Sequence, residues 1–202
     1  MKRAQTLKYF FILAPVPVIA QAKAAESSVQ VQSPQNEIVV HPDDDKSFKT
    51  RQLRHCYQMR LAGISVGGAP LDIPPAVFSE GVITDSGTIV SVLQEMAYVA
   101  LRTAFRSAMA GYPLAPPVGH LDTCYNLTGY DSVTVPTVSL TFKGGATVDL
   151  DASSGVLLDG CLAFWGSNGD NYTGIIGNVN QRTIEVLYDI PGGKVGFRTG
   201  AC

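Results

Sequence analysis

The chain has 202 residues, of which 46% are hydrophobic and 16% charged, with a formal net charge of −2. That is enough for one domain, or one domain plus a tail, with a sizeable core. No basic stripe of the kind that tracks a phosphate backbone is present, so nucleic acid is set aside as a partner.

The N-terminus reads as an address. Lys2, Arg3 and Lys8 form a basic start, and "YFFILAPVPVIA", Tyr9 to Ala20, is a short apolar core. Ala20-Gln21-Ala22 or Ala22-Lys23-Ala24 could serve as a cleavage site. Residues 1–24 are therefore expected to be a secretory signal peptide. The apolar run is too short to span a bilayer comfortably, and no later segment reaches the length of a membrane span. Cysteine usage points the same way. Cys56, Cys124, Cys161 and Cys202 form no C-x-x-C pair and have no histidine at finger-like spacing, so neither a metal nor a cofactor is expected. An even number in an exported chain suggests disulfides, with three possible pairings. Asn126-Leu127-Thr128 and Asn171-Tyr172-Thr173 are glycosylation sequons, usable only after secretion.

Residues 25–55 differ from the rest. They are polar, carry three aspartates at Asp43 to Asp45, and contain one run, "EIVV", suited to a strand. They are expected to be a flexible leader or irregular remnant, with the aspartates in a solvated loop. From Tyr57 onward the pattern is β. "YQMRLAGISV", "VTVPTVSLTF" and "RTIEVLYDI" each run into a Gly-Gly turn, and each is followed by another short β-forming stretch. These are hairpin signatures. One segment has a different period. From Leu93 to Met109 apolar residues recur at steps of three and four, which predicts an amphipathic helix of about four turns. Ser91 is its expected N-cap, and Gly111 and Pro113 stop it.

Just before that helix stands "GVITDSGTIVS", Gly81 to Ser91. It drives Asp85 into a strand-forming apolar run, where an unpaired carboxylate is costly. Asp, Ser and Gly are turn residues, so one reading is a tight turn between strands. The other is a catalytic carboxylate held at the tip of that turn. The remaining motifs carry less. "GISVG", Gly63 to Gly67, matches a nucleophile elbow, but a glycine and three prolines follow where a helix is required. His41, His55 and His120 show no triad or metal spacing. "GIIGN", Gly174 to Asn178, lacks the glycine order and the helix of a nucleotide site.

"VITDSGTIVSVLQEMAYVALRTAF", "LDTCYNLTGYDSVTVPTVSLTFKGGATVDLDASSGVLL", "CLAF" and "GIIGNVNQRTIEVLYDIPGGKVGFRTGAC" together resemble the C-terminal half of a plant pepsin-family aspartic protease of the nepenthesin-like group. The resemblance covers residues 56–202. It implies a mostly β fold, a barrel-like or sheet lobe with a psi-shaped loop and one long helix after the DSGT turn. It also implies that Asp85 is a catalytic aspartate, with Ser86, Gly87 and Thr88 as its supporting turn. Ile175, Ile176 and Gly177 would form the strand that crosses behind it. Gly177 has no side chain to keep the backbones apart, and the apolar flanks should hold the turn at a dry site. Cys124 and Cys161 fall at positions that bridge in this family, leaving Cys56 and Cys202 over.

The family's chemistry uses two aspartates about 3 Å apart that share one proton. This sequence has a single D-[ST]-G. Glu80 would lie roughly 16 Å from Asp85 on an extended strand and on its other face, and Asp72 belongs to the preceding hairpin. Three readings follow. The chain could be an endopeptidase lobe acting on peptide or protein substrates once a second lobe joins it, either another copy or a separate chain. It could be an inactive protease-like binding protein of the xylanase-inhibitor kind. It could be a truncated product. Export implies a secreted protein of the apoplast or vacuolar route.

Overall fold

Positive backbone angles at paired glycines close the hairpins. Gly67 and Gly68 stand at φ 57° and 81°, and Gly144 and Gly145 at 96° and 89°. A two-residue hairpin turn asks for this conformation, and glycine adopts it without steric cost. Val66 therefore pairs with Ala69 across a two-residue turn, while Gly144 and Gly145 close a longer loop that brings Thr141 opposite Thr147.

The protein is described by a computed structural model covering residues 37–40, 58–153, 155–189 and 194–199. The proposed signal peptide, Asp43 to Asp45, His41, His55, Cys56 and Cys202 lie outside them. The strands, in chain order, are β1 (Glu37–Val40), β2 (Gln58–Met59), β3 (Leu61–Val66), β4 (Ala69–Pro70), β5 (Val82–Asp85) and β6 (Ser91–Leu93). The helix α1 (Glu95–Ala108) comes next. Then follow β7 (Leu114–Ala115), β8 (Cys124–Tyr125), β9 (Val138–Phe142), β10 (Thr147–Leu150) and β11 (Leu157–Leu158). β12 (Cys161–Leu162), β13 (Phe164–Gly166), β14 (Gly174–Gly177), β15 (Ile184–Asp189) and β16 (Lys194–Thr199) complete the series.

Four open sheets result, with orders β1-β16-β15, β10-β9-β3-β4, β11-β12-β8-β7 and β13-β6-β14-β5-β2. The fold is mostly β with one long helix, and among the described residues no sheet closes into a barrel. "EIVV" is β1, paired antiparallel with β16 from Glu37↔Arg198 to Val40↔Val195.

The core follows the two periodicities. Val138, Leu140 and Phe142 of β9 are buried, as are Val148 and Leu150 of β10, while the intervening Asp149 is exposed. Into the same core α1, lying against β3 and β13, lays Ala97, Tyr98, Leu101 and Phe105, with Met109 just beyond its end. Each fully buried side chain of this size contributes about 1.5–3 kcal/mol.

The start of the helix corrects the expectation. Ser91 is no N-cap, because Ser91–Leu93 is strand β6, paired parallel with β13. The helix begins two residues later than the apolar periodicity implied. Gln94 occupies the cap position without a side-chain cap, and the Met96 amide donates instead to Asp170 Oδ1 at 2.8 Å. Gln94 turns inward and donates to the carbonyls of Gly81 (3.1 Å) and Tyr172 (3.0 Å). One side of the helix, from its first turn to its last, is held by Asp122. Its carboxylate accepts hydrogen bonds from Tyr98 (2.5 Å) and Arg102 (2.6 Å), and its carbonyl accepts one from Arg106 (2.6 Å).

Candidate active site

Strand β5 ends on Asp85. The chain reverses through Ser86 and Gly87, where the Thr88 amide donates to the Asp85 carbonyl at 3.3 Å, and returns as β6. Strand β14 threads between these two arms. It runs parallel to β5, with Ile175↔Ile83, Ile176↔Thr84 and Gly177↔Asp85 in register, and antiparallel to β6 at Ile175↔Val92. The crossing is the psi-shaped loop that the resemblance implied. Gly177 makes it possible: a Cβ there would stand 2.5 Å from the carbonyl carbon and oxygen of Val90. The close neighbour is thus the return arm of the turn rather than its tip. Beyond Gly177 the amides of Asn178 and Val179 donate to the carbonyls of Thr88 (2.7 Å) and Ile89 (2.9 Å).

The carboxylate sits in a small cage of donors. The Gly87 amide donates to Oδ1 at 2.9 Å and the Thr88 hydroxyl to Oδ2 at 2.6 Å. Hydrogen bonds to the charged form favour ionisation. Thr88 foremost, then Gly87, hold the Asp85 carboxyl below the usual carboxylate range. The site is not dry as the apolar flanks suggested. Ser86 and Gly87 are exposed at the tip, and Ile89 is 67% exposed. The apolar residues line the inward parts of β5, β6 and β14, while the turn projects beyond them. Thr84, one residue before Asp85, shares a short hydrogen bond with the Tyr188 hydroxyl of β15.

Cys124 and Cys161 face each other across β8 and β12 and are joined by a disulfide. With Leu121 they form a small apolar cluster, against which Val90, Ala115 and Leu158 pack. The bridge therefore backs the return arm of the Asp85 turn. Asn126 and Asn171 are exposed. Ser65 lies within β3 opposite Ser139 and Pro70, so "GISVG" forms no elbow. His120 stacks on Trp165 at 4.2 Å between ring centroids. Glu80 lies before β5 and uses its carbonyl to accept from Gln58 at 2.5 Å. Among the described residues no cluster of three or more His, Cys, Asp or Glu side chains could hold a metal ion.

Sequence reasoning missed one pair behind the turn. Ser91 and Asn180, both fully buried, share a hydrogen bond of 2.6 Å. A serine after a D-S-G turn and an asparagine beyond G-I-I-G carry no signal that they meet across 89 residues.

Comparison with known proteins agrees with this geometry. Residues 56–199 match the family model described as "Xylanase inhibitor C-terminal". An aspartyl protease family protein of Arabidopsis thaliana is 44% identical over 152 residues, covering 72% of this chain and 32% of the relative. The chain belongs to the nepenthesin-like aspartic protease family, as a C-terminal lobe. Aspartic proteinase nepenthesin-2 of Nepenthes gracilis is 33% identical over 159 residues, again covering 72% of this chain and 35% of the relative. The chain thus spans about a third of the length of these relatives. Basic 7S globulin from soybean shares the fold, with a TM-score of 0.65 at 18% identity, covering 83% of this chain and 43% of that one.

Proposed function

We propose that the chain is one lobe of a secreted aspartic endopeptidase, in which Asp85 is one of two catalytic carboxylates. The observation that carries this reading is the carboxylate of Asp85, caged by two donors in a turn through which β14 is threaded. The second carboxylate would come from another lobe, either a second copy of this chain or a separate chain. Peptide hydrolysis would then use a water held between the two. The ionised member takes a proton from the water as it attacks the carbonyl carbon, and the protonated member gives its proton to the carbonyl oxygen. Thr88 and Gly87 favour the ionised form of Asp85, which makes it the base of a heterologous pair. In a symmetric pair of Asp85 copies the two would repel, and one proton would be held well above the usual carboxyl range. Activity would appear at acid pH and vanish once both carboxylates ionise. Exposed Ile89 beside the turn is the apolar surface such a lobe would cover. Export rests on the disulfide and on the exposed sequons at Asn126 and Asn171.

A second reading is favoured by the description of the matching family model: an inactive, xylanase-inhibitor-like binding protein. One experiment separates the two. The purified chain is assayed on a denatured protein substrate at acid pH, alone over a range of concentrations and with an added N-terminal lobe carrying its own D-[ST]-G. We expect no cleavage by the chain alone, cleavage on adding the lobe, and loss of that cleavage in Asp85→Asn. Activity first-order in the lone chain, or retained in Asp85→Asn, would refute the half-site reading. Inhibition of a xylanase with no cleavage under any condition would favour the second.

A further inference from the structure

Behind the Asp85 turn lies a buried polar chain. The Ser91 Oγ accepts a hydrogen bond from the Gly177 amide at 3.0 Å and donates to Asn180 Oδ1 at 2.6 Å. Asn180 Nδ2 in turn donates to the Gly155 carbonyl at 3.0 Å. Ser91 and Asn180 are each 0% exposed. Most polar groups in so dry a place are satisfied, and a satisfied network fixes one arrangement of the backbone. Its members sit where that matters. Gly177 is in register with Asp85. Ser91 opens the return arm, and Asn180 follows the two residues whose amides hold the carbonyls of Thr88 and Ile89.

We infer that Ser91 and Asn180 are positioning residues for Asp85. This rests on the reading of Asp85 as a catalytic carboxylate, but its test does not use catalysis. The pair clamps β6 to the segment after β14, and that segment suspends the carbonyls of Thr88 and Ile89. Thr88 supplies the hydroxyl that cages Asp85. If the clamp opens, the Thr88 hydroxyl and the Gly87 amide lose their aim, and the carboxylate loses the donors that keep it ionised.

The test is the titration of the Asp85 carboxyl, followed by carbon-13 NMR on the intact chain, in variants compared at equal stability loss. Ser91→Ala removes both bonds of the hydroxyl. It should raise the Asp85 midpoint by about half a pH unit, while Ser91→Thr, which keeps the hydroxyl, should restore it. Leu101→Ala, a core truncation in α1, is the control and should lower Tm without moving the midpoint. An Asp85 midpoint unchanged in Ser91→Ala, as in Leu101→Ala, overturns the inference and leaves the endopeptidase reading intact. Should Ser91→Ala fail to fold, hydrogen exchange in the unmodified chain decides. The amides of Gly177, Asn178 and Val179 should exchange through one shared opening. Exchange of Asn178 and Val179 through a separate, easier opening than Gly177 overturns it.

Discussion

The Asp85 turn and the core beneath α1 are built on opposite terms. The core is made of area: Phe105, Leu101, Phe142 and Leu140 are at most 1% exposed and have no directional requirement. The turn is made of a few directed hydrogen bonds and one close backbone approach. The first tolerates many apolar residues of similar volume. The second tolerates almost none, because a methyl group at Gly177 or a lost hydroxyl at Thr88 acts on the carboxylate's own surroundings. Substitutions in the core should therefore change stability and leave the site alone, whereas those in the turn should change the site out of proportion to their size.

The sharpest break of that comparison is Gly177→Val. Its added atoms would overlap the Val90 carbonyl, and β14 could no longer pass between β5 and β6. We expect a loss of about 3 kcal/mol or more, or no folded protein. Gly63→Ala is the partner experiment, since a Cβ there meets nothing within 4 Å. It should change stability by less than about 1 kcal/mol. Thermal unfolding of the two variants checks both, and a stable Gly177→Val protein would refute the threading argument.

The core and the disulfide come next. Phe105→Ala should cost about 3–5 kcal/mol. Replacing Cys124 and Cys161 by alanine opens a loop with a sequence separation of 37, worth about 4 kcal/mol in the chain-entropy model. The two should differ in what else they move. The disulfide backs Val90 and so should disturb the turn, while Phe105 of α1 points into the main core, its ring against Tyr125. Denaturant unfolding gives the energies, and amide shifts of Gly87 and Thr88 give the disturbance. Shifts of equal size in both variants would erase the distinction.

Legibility in the sequence divides along the same line. The three hairpins were legible because a Gly-Gly turn and its flanking strands are local. The body of α1 was legible because its period is local too. Its true start was not: the group that satisfies the Met96 amide is Asp170, 74 positions later, brought there by β13 and β14. Ser91 looked like a cap for the same reason. Serine before an apolar helical run is the usual signal, and only the sheet shows its hydroxyl pointing inward to Asn180. The site was legible through resemblance, which supplied Asp85, its turn and the crossing strand.

A smaller effect tests the electrostatic part of the comparison. Burial pushes the Asp122 carboxyl up, but hydrogen bonds from Tyr98, Thr123 and Arg102, with the Arg102 charge, outweigh it and hold the group below its usual range. A carboxyl depressed in the folded state favours folding above its unfolded value, about pH 3.9, and that contribution is lost as pH falls through the folded value. With its side chain 34% exposed, the pairing is worth about 1 kcal/mol. Asp122→Asn should therefore lower stability at pH 7 and flatten its decline below about pH 4. Unfolding measured from pH 7 to pH 2 checks this; curves that stay parallel throughout would show that Asp122 is not the group responsible.

The smallest expected change in stability is also the most telling about the site. Thr88→Val keeps the shape of the side chain and removes the hydroxyl that donates to Asp85 Oδ2 at 2.6 Å. That bond is the foremost reason the Asp85 carboxyl ionises below its usual range. Without it the ionised form loses a donor, so the midpoint should move up toward the ordinary value of about 3.9, while the Gly87 amide keeps part of the depression. Because the carboxylate is close to solvent, folding should be little affected, and Thr88→Ser should behave as the parent. In a reconstituted two-lobed enzyme the same change should shift the acid limb of the pH–rate profile upward, since the base must be ionised to act. An unmoved Asp85 midpoint in Thr88→Val would mean that the cage does not set the charge of this carboxylate, and the contrast between turn and core would lose its chemical half.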